Sequence, residues 1–226
     1  MNSEAVTVLL SGGLDSAVLS VELAQQYRRV HPIYIRHGLH WEQSELDYLE
    51  RFLSSIDQPQ FAPLQLLDMP VGDLYDGSHW SLSGENVPDA ATADEAVYLP
   101  GRNLMLLTKL AVWCERNGIN TIALAPLAGN PFSDNSDQFY HSMEAVIEMA
   151  LNHSITIIRP YSQLDKAEVI RRGNRLPLEL TFSCIRPVDN LHCGNCNKCA
   201  ERIRAFAQAD VVDKTRYAAP TRAGQK

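Results

Sequence analysis

Apolar positions in this chain fall by turns into short unbroken runs and into longer stretches spaced by three and four. Ala5 to Leu10 is aliphatic or β-branched after its first residue, which predicts a strand buried on both faces of a parallel sheet. Ala17 to Ala24 predicts the helix that comes next. His31 to Ile35 reads as a second strand, and Leu46, Leu49, Phe52, Leu53 and Ile56 mark the inner stripe of a helix over 42–56. A weaker strand over 61–67 contains Pro63 and belongs at a sheet edge. Periodicity then stops from 68 to 99, a connection long enough to expect a lid or a binding loop. Within it, Trp80 is either a local plug or a surface for a planar ligand. Order resumes with a helix ending near Asn117, a strand over 120–125, a helix over 137–151 and a strand over 155–158. Asp165 and Glu168 form a capping-box pair for a helix to Arg172, and 197–209 is a last amphipathic helix. Strand–helix alternation predicts an α/β fold: an open, mostly parallel five-stranded sheet with helices on both faces over 1–160. Residues 161–226 are expected to add a small C-terminal helical part.

Chemistry first shows between the first strand and the first helix. Ser11-Gly12-Gly13-Leu14-Asp15-Ser16 supplies two hydroxyls, two glycines that let backbone approach a ligand, and a new helix whose N–H groups attract anions. A carboxylate belongs in such a nest if Asp15 holds a Mg²⁺ ion that arrives with phosphates. Neither the lysine-ended phosphate loop nor the dinucleotide pattern is present. The six residues resemble the pyrophosphate loop of the PP-loop ATP pyrophosphatases, which cleave ATP between its α and β phosphates.

Other cations stand where helices begin, the wrong end for the helix dipole unless an anion is also there. Gly101-Arg102 opens one such helix and Lys166 another. Arg36 and His37 come after the second strand, at the sheet edge where open α/β folds bind ligands. Asp134 either caps the next helix or orients a polar substrate. Cys184, Cys193, Cys196 and Cys199 are spaced to converge on one ion. Four thiolates favour a closed tetrahedral Zn²⁺ site, with an iron–sulfur cluster as the main rival. Cys114 lies on an apolar helix stripe and is packing.

The chain has 226 residues, 45% apolar and 21% charged, with a net charge of −7. That charge argues against a non-specific nucleic-acid binder. The absence of a basic, apolar leader and of any membrane-length apolar run, with clustered cysteines, fits the cytoplasm.

Taken together, the Ser11–Ser16 turn, Arg36-His37, Pro100-Gly101-Arg102-Asn103, Asp165 to Glu168, Leu180 to Cys184 and the Cys193–Cys199 run resemble the 7-cyano-7-deazaguanine synthase family of queuosine biosynthesis. The resemblance covers roughly 5 to 208. It implies a nucleotide-binding domain of the adenine nucleotide α-hydrolase type, a zinc-bearing C-terminal part and a homodimer. It also implies an enzyme that adenylates a heterocyclic carboxylate, 7-carboxy-7-deazaguanine. Ammonia converts the adenylate to an amide, and a second ATP dehydrates this to the nitrile. Asp15, Lys166 and Arg102 are the expected catalytic residues, and Ser11 to Ser16 (Gly12, Gly13 and Leu14 included), Arg36, His37, Gly101 and Arg102 the expected ATP contacts. The family's substrate loop corresponds to 129–138, where Phe132-Ser133 carries over and Asp134 or Asp137 stands for its aspartate; its Cys-Arg pair is missing. A PP-loop enzyme for a different small acid is therefore one alternative, and a non-catalytic nucleotide-binding module another.

Overall fold

The computed structural model describes residues 3–219. Its centre is a parallel sheet of five strands in the order β3-β2-β1-β4-β5, comprising β1 (Ser3–Leu9), β2 (Tyr27–Arg36), β3 (Gln65–Asp68), β4 (Thr121–Ala123) and β5 (Thr156–Ile158). The helices are α1 (Leu14–Gln26), α2 (Glu42–Ser55), the single turn α3 (Trp80–Ser83), α4 (Arg102–Asn117), α5 (Asp137–Leu151), α6 (Lys166–Arg172) and α7 (Asn197–Ala209). The chain leaves β1 toward β2 and β3 on one side and returns to β4 and β5 on the other. The crevice beyond the carboxyl ends of β1 and β4 is thus the switch point at which such sheets bind ligands.

Alternation along β1 serves both faces. Val6 and Val8 pack with α1, α6 and α7, while Ala5 and Leu9 join the cluster of α4 and α5 on the other side. Thr7 is fully buried on the α4 side, where the Cys114 thiol donates to its hydroxyl at 3.3 Å. α2 packs on α1 through Phe52, Ala17 and Val21. Ala167, Ile170, Ala205 and Phe206 belong to the same buried cluster as Val6 and Val18, so the core runs unbroken across residue 160.

Three elements differ from expectation. β2 begins at Tyr27, because its first residues pair with β1 from Ser3 onward. β3 is an edge strand as expected, but it is confined to four residues beyond Pro63. The 68–99 connection is ordered by aromatic packing: Trp80 stacks on buried Trp41 with ring centroids 5.6 Å apart and planes 11° apart. Trp80 is therefore a plug.

Candidate active site

The serine–glycine turn lies at the switch point and is held from three sides. Gly12 has φ +75°, and a Cβ there would stand 3.0 Å from the Glu45 carbonyl oxygen of α2, so a side chain is excluded twice over. Its own carbonyl accepts a 2.7 Å hydrogen bond from the Phe182 N–H. The Ser16 hydroxyl donates to the Gly13 carbonyl at 3.1 Å and lies 3.4 Å from the Ser11 hydroxyl. Gly13 is the N-cap of α1 without a side-chain cap, leaving first-turn N–H groups for an anion.

Asp15, in that first turn, places Oδ2 3.3 Å from the Lys166 ammonium, while its buried Oδ1 has no hydrogen-bond partner among the described residues. One paired and one orphaned oxygen suit a carboxylate that takes a Mg²⁺ ion. Burial pushes the Asp15 carboxyl above its usual range against the opposing pull of Lys166. Glu201 of α7 grips both Lys166 and Lys198, the latter at 2.7 Å. Burial alone would raise Glu201, but the two lysines outweigh it and hold its pKa at about 2. For Lys166, burial works toward the neutral amine, and the carboxylates of Asp15 and Glu201 overcome it, so the ammonium is retained.

Two adjoining clefts, of about 280 and 210 Å³, share Asp15, Ala125, Pro126 and Asn130. The larger reaches Lys166, Lys198 and Glu201; the smaller holds Ser11, Gly13, Ser16 and Arg102. Arg102 leads α4 from the left-handed N-cap Gly101 (φ +72°), and its buried Nε is without a partner among the described residues. Arg102 also borders a 20 Å³ cavity with Ser11, Tyr34, His37 and Glu45. There burial, and next the Arg102 charge, lower His37 to about 4. Burial raises Glu45 to about 7 against the Arg102 charge and hydrogen bonds from Tyr34 and Trp41. Gly12, Leu14 and Gly101 shape the backbone and do not line these spaces. Arg36 does not line them either; its Nε pairs with Asp68 Oδ1 of the neighbouring strand at 2.7 Å.

The 129–138 loop divides its residues. Phe132 lines the larger cleft with its ring against Tyr98, centroids 4.8 Å apart. Ser133 is exposed. Asp134 caps a helix, but it is α4, the preceding one: its Oδ2 accepts the Asn103 N–H at 3.0 Å and its carbonyl accepts the Asn103 amide at 2.9 Å. The cap of α5 is Ser136. Asp137 is 79% exposed and paired with Arg159 at 2.9 Å.

The four cysteines are buried, with all four sulfurs within 4.8 Å of one another. Cys184–Cys196 and Cys193–Cys199 are each 3.9 Å apart, close to the edge of about 3.8 Å expected when four thiolates stand about 2.3 Å from one Zn²⁺. Backbone N–H groups of Arg186, Cys193 and Cys196 point at Cys184 and Cys193 sulfurs at 3.3 Å, as thiolates require. The residues fit zinc. Behind them, Arg202 is 1% exposed and donates to Thr215, Thr181, Ser183 and the Leu178 carbonyl.

Sequence reasoning missed Lys198, Glu201 and Arg202. The available signal was their spacing on a helix whose first turn carries a metal ligand: Lys198 and Glu201 share a face three residues apart.

A family model for the queuosine biosynthesis protein QueC matches residues 5–210. The chain belongs to the QueC family. It is 29% identical to the 7-cyano-7-deazaguanine synthase of Methanothermobacter thermautotrophicus, covering 92% of this chain and 97% of that one. It is 30% identical to that of Methanobrevibacter smithii, with 96% and 99% covered. Among solved structures, a 4-thiouridine synthetase in complex with RNA and ATP is similar in fold (TM-score 0.50, 16% identity), covering 92% of this chain and 50% of that one. None of the described helices is long and apolar enough to cross a membrane.

Proposed function

We propose that this QueC-family protein is an ATP-dependent carbon–nitrogen ligase that makes 7-cyano-7-deazaguanine from 7-carboxy-7-deazaguanine and ammonia in the cytoplasm. The observation that carries the reading is the Ser11–Ser16 turn at the β1/β4 switch point, with Asp15, Lys166 and Arg102 lining two joined clefts around it. Ser11, Ser16 and the first-turn N–H groups of α1 hold the polyphosphate, and Asp15 offers its free oxygen to Mg²⁺, which supplies charge neutralisation when bound. A substrate carboxylate oxygen attacks the α phosphorus, and the bond to pyrophosphate breaks. Lys166, kept protonated between two carboxylates, and Arg102 offset the charge that moves onto the leaving oxygens. Ammonia then attacks the acyl carbon and AMP departs, leaving the amide. The amide oxygen then attacks the α phosphorus of a second ATP and expels pyrophosphate, and departure of AMP with loss of the two amide protons gives the nitrile. The four-cysteine site holds structural zinc. Homodimer formation is supported by exposed aliphatic side chains on adjacent helices, Leu104 and Val112 of α4 and Val146 and Met149 of α5; sedimentation as a monomer at micromolar concentration would remove it.

Incubation with ATP, Mg²⁺, ammonium and 7-carboxy-7-deazaguanine should give the amide and then the nitrile by mass, with AMP formed at each step. Asp15→Ala should lower turnover by at least ~10²-fold with the fold intact. Formation of ADP in place of AMP would overturn the chemistry. An unchanged acid, with pyrophosphate released on other carboxylates, would reassign the substrate.

A further inference from the structure

We infer that Asp94, on the long connection before α4, reads the hydrogen-bond-donor edge of the heterocyclic substrate, and that Asn197 positions it. The inference rests on the proposed function and names the residue that gives it specificity. Neither aspartate of the 129–138 loop is placed for this task. Asp134 is committed to the start of α4, Asp137 to Arg159, and neither lines the clefts.

Asp94 does line the larger cleft, together with Phe132, Asp15 and Lys166. The other carboxylates of that cleft are each engaged elsewhere, Asp15 through one oxygen while its orphaned Oδ1 is the one assigned to Mg²⁺. Asp15 faces Lys166, Glu201 holds two lysines, and Asp165 accepts the Glu168 N–H at 2.7 Å as the cap of α6. Asp94 forms no ion pair among the described residues, and its Oδ1 accepts a bond from the Asn197 side-chain amide at 3.2 Å. The residue is exposed, and the rest of its acceptor capacity faces solvent and is open to a ligand. Four residues along, Tyr98 lies against Phe132, whose ring borders the same cleft. An aromatic edge beside a free carboxylate suits a planar ring carrying adjacent N–H donors. A 7-deazaguanine is such a ring, through N1–H and its exocyclic amine. Because the cleft continues to Asp15 and Lys166, a ring held at Asp94 has its far end beside the phosphate-binding turn.

Asn197 makes this placement rigid. It is 2% exposed and directly adjoins Cys196. Its backbone N–H donates to the Pro88 carbonyl at 3.0 Å, and its amide donates to the Thr92 carbonyl at 2.7 Å as well as to Asp94. Asp94 is thereby fixed to the cysteine knuckle although it sits in a long connection.

The test compares 7-carboxy-7-deazaguanine with the same acid lacking the exocyclic amine, using wild type, Asp94→Ala and Asn197→Ala, each checked for melting and zinc content. Wild type should prefer the amine-bearing acid. Asp94→Ala should raise KM for it about 10- to 100-fold, with KM for ATP changed less than about 2-fold, and should abolish most of the preference. Asn197→Ala should raise the same KM several-fold with kcat nearly constant and about one zinc per chain retained. If wild type prefers the amine-bearing acid and Asp94→Ala retains that preference, the assignment of Asp94 fails while the proposed function stands. If wild type consumes neither acid, both fail.

Discussion

His37 and Glu45 share the neighbourhood of Arg102 but titrate in opposite senses. His37 is buried neutral with its pKa at about 4, so below 6.5 the unfolded chain binds the extra proton, and this residue's contribution to stability rises with pH from about 4 to 6.5. Glu45 holds its proton to about 7, so over about 4.5 to 7 the folded chain binds the extra proton and stability falls as pH rises. The two slopes oppose each other across the shared window. Urea midpoints should therefore show that His37→Asn makes stability fall with pH between about 5 and 6.5, whereas Glu45→Gln makes it rise; the same slope in both variants would refute the pairing. Neither environment could be read from the chain. Arg102 and Lys166 could, because a cation at a helix start is out of place without an anion. Glu201 was legible only in part: its three-residue spacing from Lys198 is in the sequence, but its pairing with Lys166 brings in a second element.

The connection before α4 and the cysteine knuckle form one unit. The Ala90 N–H donates to the Asn195 carbonyl at 3.0 Å, Asp89 pairs with Cys196 across a β-bridge, and Asn197 binds Pro88, Thr92 and Asp94. Metal analysis should find about one zinc per chain, and Cys193→Ser should lower the melting temperature because closed sites contribute folding free energy. Hydrogen exchange should then quicken over 86–97 as well as over 184–199; protection of 86–97 unchanged on metal loss would show that the two are independent. Strands and long helices were legible because their apolar periods are regular. This unit was not, because its order comes from backbone bonds to a distant knuckle and from the Trp41–Trp80 stack, neither of which leaves a period.

Across the molecule, α6 and α7 complete the core begun by β1 and α1, and Arg202 ties α7 to the segments on either side of it. Its guanidinium satisfies oxygens at Leu178, Thr181, Ser183 and Thr215, all neutral. Arg202→Ala would orphan them in the interior and should cost roughly 3–5 kcal/mol by urea unfolding. Arg202→Lys should recover little, since an ammonium cannot reproduce the planar fork. A loss under about 1 kcal/mol in both variants would show that water replaces the guanidinium.

The hydrogen bond from Phe182 to the Gly12 carbonyl sets a timetable for the newborn chain. The serine–glycine turn leaves the ribosome about 170 residues ahead of the residue that closes it. Until Phe182 emerges, with Cys184 two residues behind it, the phosphate cradle lacks one of its walls. ATP is then expected to bind only after Phe182 has emerged, so that nucleotide binding follows the closing of its site. A stalled nascent chain ending before residue 180 should gain no protease protection from ATP, whereas the released protein should.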